Sequence, residues 1–125
     1  MELEWRFWAK GFEVINAEQL KAMMDKDASL KVINVLFREY YDDCHIKGSE
    51  SVPLSDIKQH AQDWDRDLPV VVYCSLPGCP ASHEAAKMLV DMGFKKVYDH
   101  EGGMKEWRAM GYPSEGPCEK DYLKD

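Results

Sequence analysis

The stretch VVVYCSLPGCPASHEAAKMLVDMGF, residues 70–94, decides the fold of this chain. Its apolar, β-branched start ends at Cys74 and predicts a strand that is buried on both faces. A loop broken by proline and glycine follows. Residues 82–92 then carry apolar side chains at helical spacing, which predicts a helix with Ser82 as its cap and Gly93 at its end. A cysteine therefore stands at the carboxyl end of a buried strand and faces the start of a helix.

The same alternation of strand and helix runs outward from this stretch in both directions. Such a pattern requires a parallel sheet with helices on both faces, and hence an α/β fold. The other predicted elements are a strand and an Asn16-capped helix within 13–27, a buried strand at 30–36, a Ser55-capped helix at 55–64, a strand and Gly-Gly turn at 95–103, and a last helix at 104–113.

The composition excludes several classes of protein. The chain has 125 residues, of which 45% are hydrophobic and 31% charged, as in a soluble globular domain. Its net charge of −7 argues against nucleic acid or an anionic membrane surface as a partner. No run reaches the ~20 apolar residues of a membrane span, and the acidic start is not a signal peptide. A cytoplasmic protein is expected, in which cysteines are free or reactive rather than in disulfides, namely Cys44, Cys74, Cys79 and Cys118.

Three segments are predicted along the chain. Residues 1–12 form an aromatic extension, which is expected to pack over the domain, the alternative being a surface for self-association or a partner. Residues 13–114 form the domain itself, and residues 115–125 form a polar tail that is expected to fray. The aromatic residues of the extension are Trp5, Phe7, Trp8 and Phe12.

The position of Cys74 suggests chemistry. In an open parallel sheet, ligands bind beyond the carboxyl ends of the strands. Backbone N–H groups and the dipole of the helix at 82–92 favour negative charge there, and they are expected to lower the pKa of the Cys74 thiol. The residues therefore predict a nucleophilic cysteine in an anion-binding loop. A small buried cysteine that merely closes a strand is equally compatible with this position.

Three stretches resemble single-domain members of the rhodanese family of sulfurtransferases. The first is VVYC at 71–74. The second lies within 33–54 and holds Glu39-Tyr40, His45-Ile46, Gly48 and Val52-Pro53-Leu54. The third is 82–113, with Ser82, Ala85-Ala86, Gly93-Phe94, Gly102-Gly103, Trp107 and Gly111-Tyr112-Pro113.

The resemblance implies a central, mostly parallel five-stranded sheet flanked by helices on both faces. It implies that Cys74 takes a sulfane sulfur from a small-molecule or protein-borne donor, carries it as a persulfide and passes it to a thiophilic acceptor such as a thiol. No cofactor and no metal are implied. The loop that would cradle the persulfide comprises Ser75, Leu76, Gly78, Cys79, Ala81 and Ser82.

The chain departs from the family pattern at the loop. Ala81 stands where the family usually has arginine, and Pro77 and Pro80 each remove an N–H donor. Because arginine is the usual partner of oxyanions, these changes favour a neutral or protein-borne donor, or low activity with thiosulfate. Asn34 and Leu36 also replace an aspartate and an arginine that usually support the site.

Cys79 is an additional thiol in this loop. It is a candidate resolving thiol, which would attack a Cys74 persulfide, release sulfide and leave a Cys74–Cys79 disulfide. The alternative is that Cys79 packs inward as a small apolar residue. A metal site from Cys44, His45, Cys74 and Cys79 is a weaker hypothesis, since the spacing is a poor match for zinc.

Two other functions compete with sulfur transfer. A non-catalytic rhodanese-like module would bind a partner or sense redox state through Cys74 and Cys79. A phosphatase like the cell-cycle dual-specificity enzymes is disfavoured, because phosphoryl transfer needs the arginine that the loop lacks.

The remaining conspicuous side chains are expected to be structural. His45 should bond to backbone, His83 should be solvated, and Trp107 should lie in the core. Gly102 and Gly103 should form a turn with unusual dihedral angles near the cysteine loop. Asp99 and Glu101 are expected to border the pocket.

Overall fold

The computed structural model describes residues 11–75 and 77–124. Trp5, Phe7 and Trp8 of the predicted extension lie outside the described residues, as does Leu76 of the cysteine loop. Phe12 is described, and it is only 2% exposed. Its ring meets the edge of His83 at 5.3 Å between centroids, so this residue of the extension does pack on the domain.

Strands and helices alternate over most of the described chain. None of the helices in residues 11–75 and 77–124 has the length and apolar character needed to cross a membrane. The elements are β1 Glu13–Ile15, α1 Ala17–Lys26, β2 Lys31–Asn34, α2 Arg38–Asp43, β3 His45–Ile46, β4 Glu50–Ser51, a 3-10 turn Leu54–Asp56, α3 Ile57–Ala61, β5 Val70–Tyr73, α4 Pro80–Asp91, β6 Val97–His100, α5 Gly103–Ala109, β7 Ser114–Glu115 and a 3-10 turn Asp121–Leu123.

Five strands form one parallel sheet in the order β1-β6-β5-β2-β4. Helices α3 and α4 cover one face, and α1 and α5 cover the other. The predicted mostly parallel five-stranded sheet with helices on both faces is confirmed. Strand β5 lies at its centre, where none of its side chains is exposed, because β2 and β6 flank it and helices cover both faces.

The helix starts follow local chemistry that only partly matches the predictions. Asn16 caps α1 as expected, and it shares a reciprocal capping box with Gln19. Ser55 is not a cap, since it lies in a 3-10 turn before α3. Ser82 is not a cap either, because α4 already begins at Pro80, whose missing N–H is not needed in the first helical turn.

A second, two-stranded sheet fastens the C-terminal segment. Strands β3 and β7 pair antiparallel, with His45 opposite Glu115. The Asp43 carboxylate also accepts the N–H groups of Glu119 at 3.0 Å and Lys120 at 3.3 Å. The prediction that the C-terminal tail frays is therefore wrong for its described residues.

The expectation that all four cysteines are free is also wrong. Cys44 and Cys118 form a disulfide across a sequence separation of 74 residues. The β3–β7 pairing brings the two Cα atoms to 4.6 Å, within bonding range. Cys74 and Cys79 remain free thiols. Cys44 is thus not available to the metal set that the sequence raised as a weak hypothesis.

Candidate active site around Cys74 and Cys79

The backbone of the cysteine loop is held by the start of α5. Cys74 directly follows β5, and its carbonyl accepts the N–H of Met104 at 2.9 Å. The carbonyl of Ser75 accepts the N–H of Lys105 at 2.8 Å. Gly103 permits this approach, because its φ is +68° and a Cβ there would lie 2.8 Å from both carbonyl oxygens. The predicted proximity of the glycine turn to the loop is confirmed, although Gly102 itself has an ordinary φ of −66°.

The Cys74 thiol is enclosed by the sheet and α4. It is fully buried in an apolar cluster, with its Sγ 3.6 Å from the carbonyl oxygen of Cys79 and 3.8 Å from Oγ of Ser82. Burial, followed by the contact with the Cys79 thiol, raises the pKa of Cys74 to about 12. The expectation that the helix start lowers this pKa is therefore wrong for this conformation, because the desolvation of the thiol outweighs the Ser82 N–H and hydroxyl groups.

Cys79 occupies the contrasting position. It is half-buried and directly precedes α4, at the N-cap. Burial alone would raise the pKa of Cys79. The pKa nevertheless lies below its ordinary value, because four hydrogen-bonding groups outweigh burial: the Cys74 thiol, the N–H groups of Ala81 and Ser75, and the Ser75 hydroxyl. The donors that were expected to cradle Cys74 thus mostly surround Cys79.

The other loop residues divide by role. Ser75 and Ala81 face the Cys79 sulfur, and Ser82 faces Cys74. Gly78 has a φ of +87° in open space, so it serves the turn. Pro77 lines an open pocket beside the loop.

This pocket has a volume of about 370 Å³ and carries negative charge. Glu101 and Glu106 both line it, whereas neither Cys74 nor Cys79 does. Two carboxylates disfavour a dianionic substrate there. The residues lining the pocket are Val14, Ile15, Asn16, Gln19, Pro77, Glu101, Gly102 and Glu106.

Asp99 does not border this pocket and instead lies fully buried in β6. Neither of its carboxylate oxygens has a hydrogen-bond partner among the described residues. Burial raises the pKa of Asp99, and the Ser82 hydroxyl acts in the opposite direction. The sequence signal for this site is a carboxylate within the predicted strand and turn at 95–103.

The remaining predictions concern supporting residues. His45 binds the backbone as expected, with Nδ1 2.8 Å from the carbonyl oxygen of Tyr41. His83 is exposed and Trp107 is buried, as predicted. Asn34 supports the strands rather than the thiols, since its amide donates to the Tyr73 hydroxyl at 3.2 Å and its Oδ1 accepts the N–H of Leu36 at 3.0 Å.

Known proteins with similar sequences are named as sulfur-handling proteins. A thiosulfate sulfurtransferase GlpE of Pseudomonas fluorescens (strain Pf-5) is 34% identical over 83% of this chain and 91% of its own length. The GlpE of Coxiella burnetii (strain RSA 493) is 30% identical over 67% of this chain and 77% of its own. YrkF of Bacillus subtilis, named as a candidate sulfur carrier protein, is 29% identical, and the chain spans only 52% of its length.

Solved structures agree on the fold. The BH2092 protein of Bacillus halodurans matches with a TM-score of 0.81 and 24% identity, over 99% of this chain and 93% of that one. The rhodanese-like domain of Alr3790 from Anabaena matches with a TM-score of 0.74 and 26% identity, over 86% of this chain and 81% of that one.

The family model named "Rhodanese-like domain" matches residues 16–110. This range spans the sheet from just after β1, both free cysteines and α5. The chain therefore belongs to the family of rhodanese-like domains.

Proposed function

We propose that this chain is a sulfurtransferase that carries sulfane sulfur as a persulfide on Cys74. The observation that supports this most is the placement of Cys74. It follows the central strand β5, at the position that the sequence resemblance assigns to the family's cysteine. The N–H of Ser82 acts on its sulfur, and Ser82 Oγ lies 3.8 Å from it. These donors would stabilise a thiolate or persulfide anion in this loop.

The transfer has two balanced steps. The Cys74 thiolate attacks the outer sulfur of a donor persulfide, so the Cys74–sulfur bond forms, the donor's S–S bond breaks and the donor leaves as a thiolate. An acceptor thiolate then attacks the outer sulfur of the Cys74 persulfide. The acceptor leaves as a persulfide and Cys74 returns to a thiolate, with no net oxidation.

The charges around the loop favour a neutral or protein-borne donor. Positions 75–81 contain no lysine or arginine, and Glu101 and Glu106 line the adjacent pocket. Thiosulfate would bring two negative charges to this surface without a bidentate partner. We therefore expect a small-molecule persulfide to load Cys74 faster than thiosulfate does.

The two thiols shift each other's pKa, and Cys74 Sγ lies 3.6 Å from the Cys79 carbonyl oxygen. This proximity supports a second candidate function, a redox module. In this scheme the Cys79 thiolate attacks the inner sulfur of the Cys74 persulfide. A Cys74–Cys79 disulfide forms, hydrosulfide leaves, and a dithiol reductant must restore the pair. The two schemes differ in what remains on the protein after sulfur loading.

Intact mass spectrometry after incubation with a small-molecule persulfide, or with thiosulfate, separates these functions. Gain of one sulfur atom, lost in Cys74→Ser and kept in Cys79→Ser, would support the transferase. Loss of two hydrogens without gained sulfur would support the redox module. No mass change with either donor would contradict both schemes.

The donor preference has its own test at position 81. Ala81→Arg should raise thiosulfate loading about tenfold, because a charged hydrogen bond to an oxyanion contributes about 1.5–3 kcal/mol. Ala81→Gln is the matched control without the charge. Equal loading by the two variants would show that charge is not what limits thiosulfate use.

A further inference from the structure

The enclosed Cys74 thiol needs an acceptor for its proton before it can attack sulfur. In residues 11–75 and 77–124, the groups that act on its sulfur include no cation, and burial opposes the loss of the proton to form an isolated anion. If the proton moved to a nearby carboxylate instead, the buried region would keep a single negative charge. Asp99 is a carboxylate in the right part of the fold.

Asp99 lies on the neighbouring strand and on the same face as Cys74. The register pairs Asp99 with Val72, two residues before Cys74, so the alternation of the strands directs both side chains towards α4. Asp99 is fully buried, and its two oxygens have no hydrogen-bond partner in residues 11–75 and 77–124. A native protein seldom leaves such a group unpaired without a functional reason.

Ser82 connects the two groups. It is 1% exposed, and its Oγ accepts from the Cys74 thiol at 3.8 Å. The hydroxyl proton of Ser82 then points away from the thiol. The same hydroxyl lowers the pKa of the Asp99 carboxyl. Ser82 is therefore bonded to the thiol and acts on the carboxyl, without a hydrogen bond to the Asp99 oxygens in this conformation.

We propose that Asp99 is a positioning residue that accepts the Cys74 proton through the Ser82 hydroxyl, which makes the buried thiol nucleophilic without a cation. The Asp99 oxygens are unpaired in the resting conformation, so the transfer begins when the Ser82 side chain turns its hydroxyl towards the carboxylate. The Cys74 S–H bond then breaks as its proton passes to Ser82 Oγ, and the Ser82 hydroxyl proton passes to the Asp99 carboxylate. The products are a Cys74 thiolate and a neutral Asp99, with no change in total charge. This inference rests on the proposed function only in assigning sulfur as the natural target of Cys74.

Charged groups in the described part of the chain act on Asp99 in both directions. His83 at the start of α4 and His100 in β6 favour the ionised carboxylate, whereas Glu101 opposes it. The Cys74 and Cys79 thiols are further titratable groups of this region. Burial is the largest effect and raises the pKa of Asp99, which makes its carboxylate a better proton acceptor than an exposed one.

The test measures alkylation of Cys74 by iodoacetamide as a function of pH, with peptide mass analysis to identify the modified cysteine. The protein carries Cys79→Ser and an intact Cys44–Cys118 disulfide, so Cys74 is the one free thiol. Removing the proton acceptor with Asp99→Asn should slow alkylation near pH 7 about a hundredfold and abolish the inflection due to the Asp99 carboxyl. Ser82→Ala should give the same loss while keeping Asp99.

The control is Asp91→Asn, which removes one carboxylate at the exposed far end of α4 and should leave the rate unchanged. If Asp99 were only a repulsive charge, Asp99→Asn would speed alkylation, and that result would overturn the inference. An unchanged rate in both Asp99→Asn and Ser82→Ala would overturn it as well. Alkylation needs no sulfur donor. If Asp99→Asn still slows alkylation but no persulfide forms on Cys74, the proposed function is rejected and the role of Asp99 stands.

Discussion

Two pairs of cysteines lie on opposite faces of one sheet and have opposite chemistry. Cys44 and Cys118 are far apart in sequence and form a disulfide on the face covered by α1 and α5. Cys74 and Cys79 are close in sequence and remain free on the face covered by α4. The first pair fastens the C-terminal segment, and the second pair presents two thiols in unequal surroundings. The face of the sheet on which a cysteine lies, rather than its proximity in sequence to another cysteine, decides its role.

The largest effect should come from breaking the disulfide. Cys44→Ala combined with Cys118→Ala should lower the free energy of unfolding by about 3–5 kcal/mol, because the bond closes a long loop in the unfolded chain. Urea denaturation measures this change. Cys79→Ala is the matched control, since it removes a half-buried thiol without breaking a bond, and it should cost about 1 kcal/mol or less. Equal losses in the two proteins would contradict the structural role of the disulfide.

The free thiols should differ in reactivity. Thiolates react and thiols do not, and the pKa of Cys79 lies below its ordinary value whereas that of Cys74 is raised to about 12. As pH rises towards 8, Cys79 should therefore ionise first, and iodoacetamide should modify it about a hundredfold faster than Cys74. Peptide mass analysis over time at fixed pH gives both rates. Faster modification of Cys74 would reverse the assignment of the two environments.

A smaller loss should follow removal of one hydroxyl on the disulfide face. The buried Tyr73 hydroxyl accepts the Ile46 N–H at 3.0 Å and lies 2.9 Å from the Ser49 hydroxyl. Tyr73→Phe removes the acceptor of the buried Ile46 N–H and of the Asn34 amide, and it should cost about 2 kcal/mol of unfolding free energy. Tyr98→Phe, at a half-exposed ring in the same sheet, is the control and should change it by less than about 0.5 kcal/mol. The urea midpoints of the two variants would coincide if the buried hydroxyl contributed nothing.

The smallest effect separates a steric contact from backbone strain. Gly103→Ala places a Cβ against the Cys74 and Ser75 carbonyls, whereas Gly111→Ala meets open space at a similar φ of +76°. Both should be destabilised, the second by about 1 kcal/mol and the first by about 1 kcal/mol more. Thermal denaturation compares them. Identical losses would show that the α5 contact does not constrain the cysteine loop.

Much of the fold could be predicted because β2, β5 and α4 carry long apolar patterns. The two-residue strands β3 and β7 have no such periodicity, so their pairing could not be predicted. The disulfide that depends on this pairing was missed for the same reason, and the expected reducing compartment argued against it. Ser82 is predicted as a cap because it is a good capping residue just before the apolar run, whereas the helix starts two residues earlier, at Pro80.

The candidate site was predicted less completely than the fold. The position of Cys74 followed from local sequence, but its burial depends on strands and helices that are distant along the chain. The expected fall in its pKa therefore did not occur. Asp99 is the clearest case, since only the parallel pairing of β6 with β5 brings it to the same face as Cys74.

The attachment of the loop to α5 also has a consequence for engineering. The Cys74 and Ser75 carbonyls are fixed from one side by Met104 and Lys105, and Ser82 is fixed from the other by the first turn of α4. The segment between these two anchors can therefore serve as an exchangeable cassette. Loop sequences of different length and charge could be grafted there and compared for the sulfur donor that they prefer. The rest of the domain would keep Cys74 in the same position.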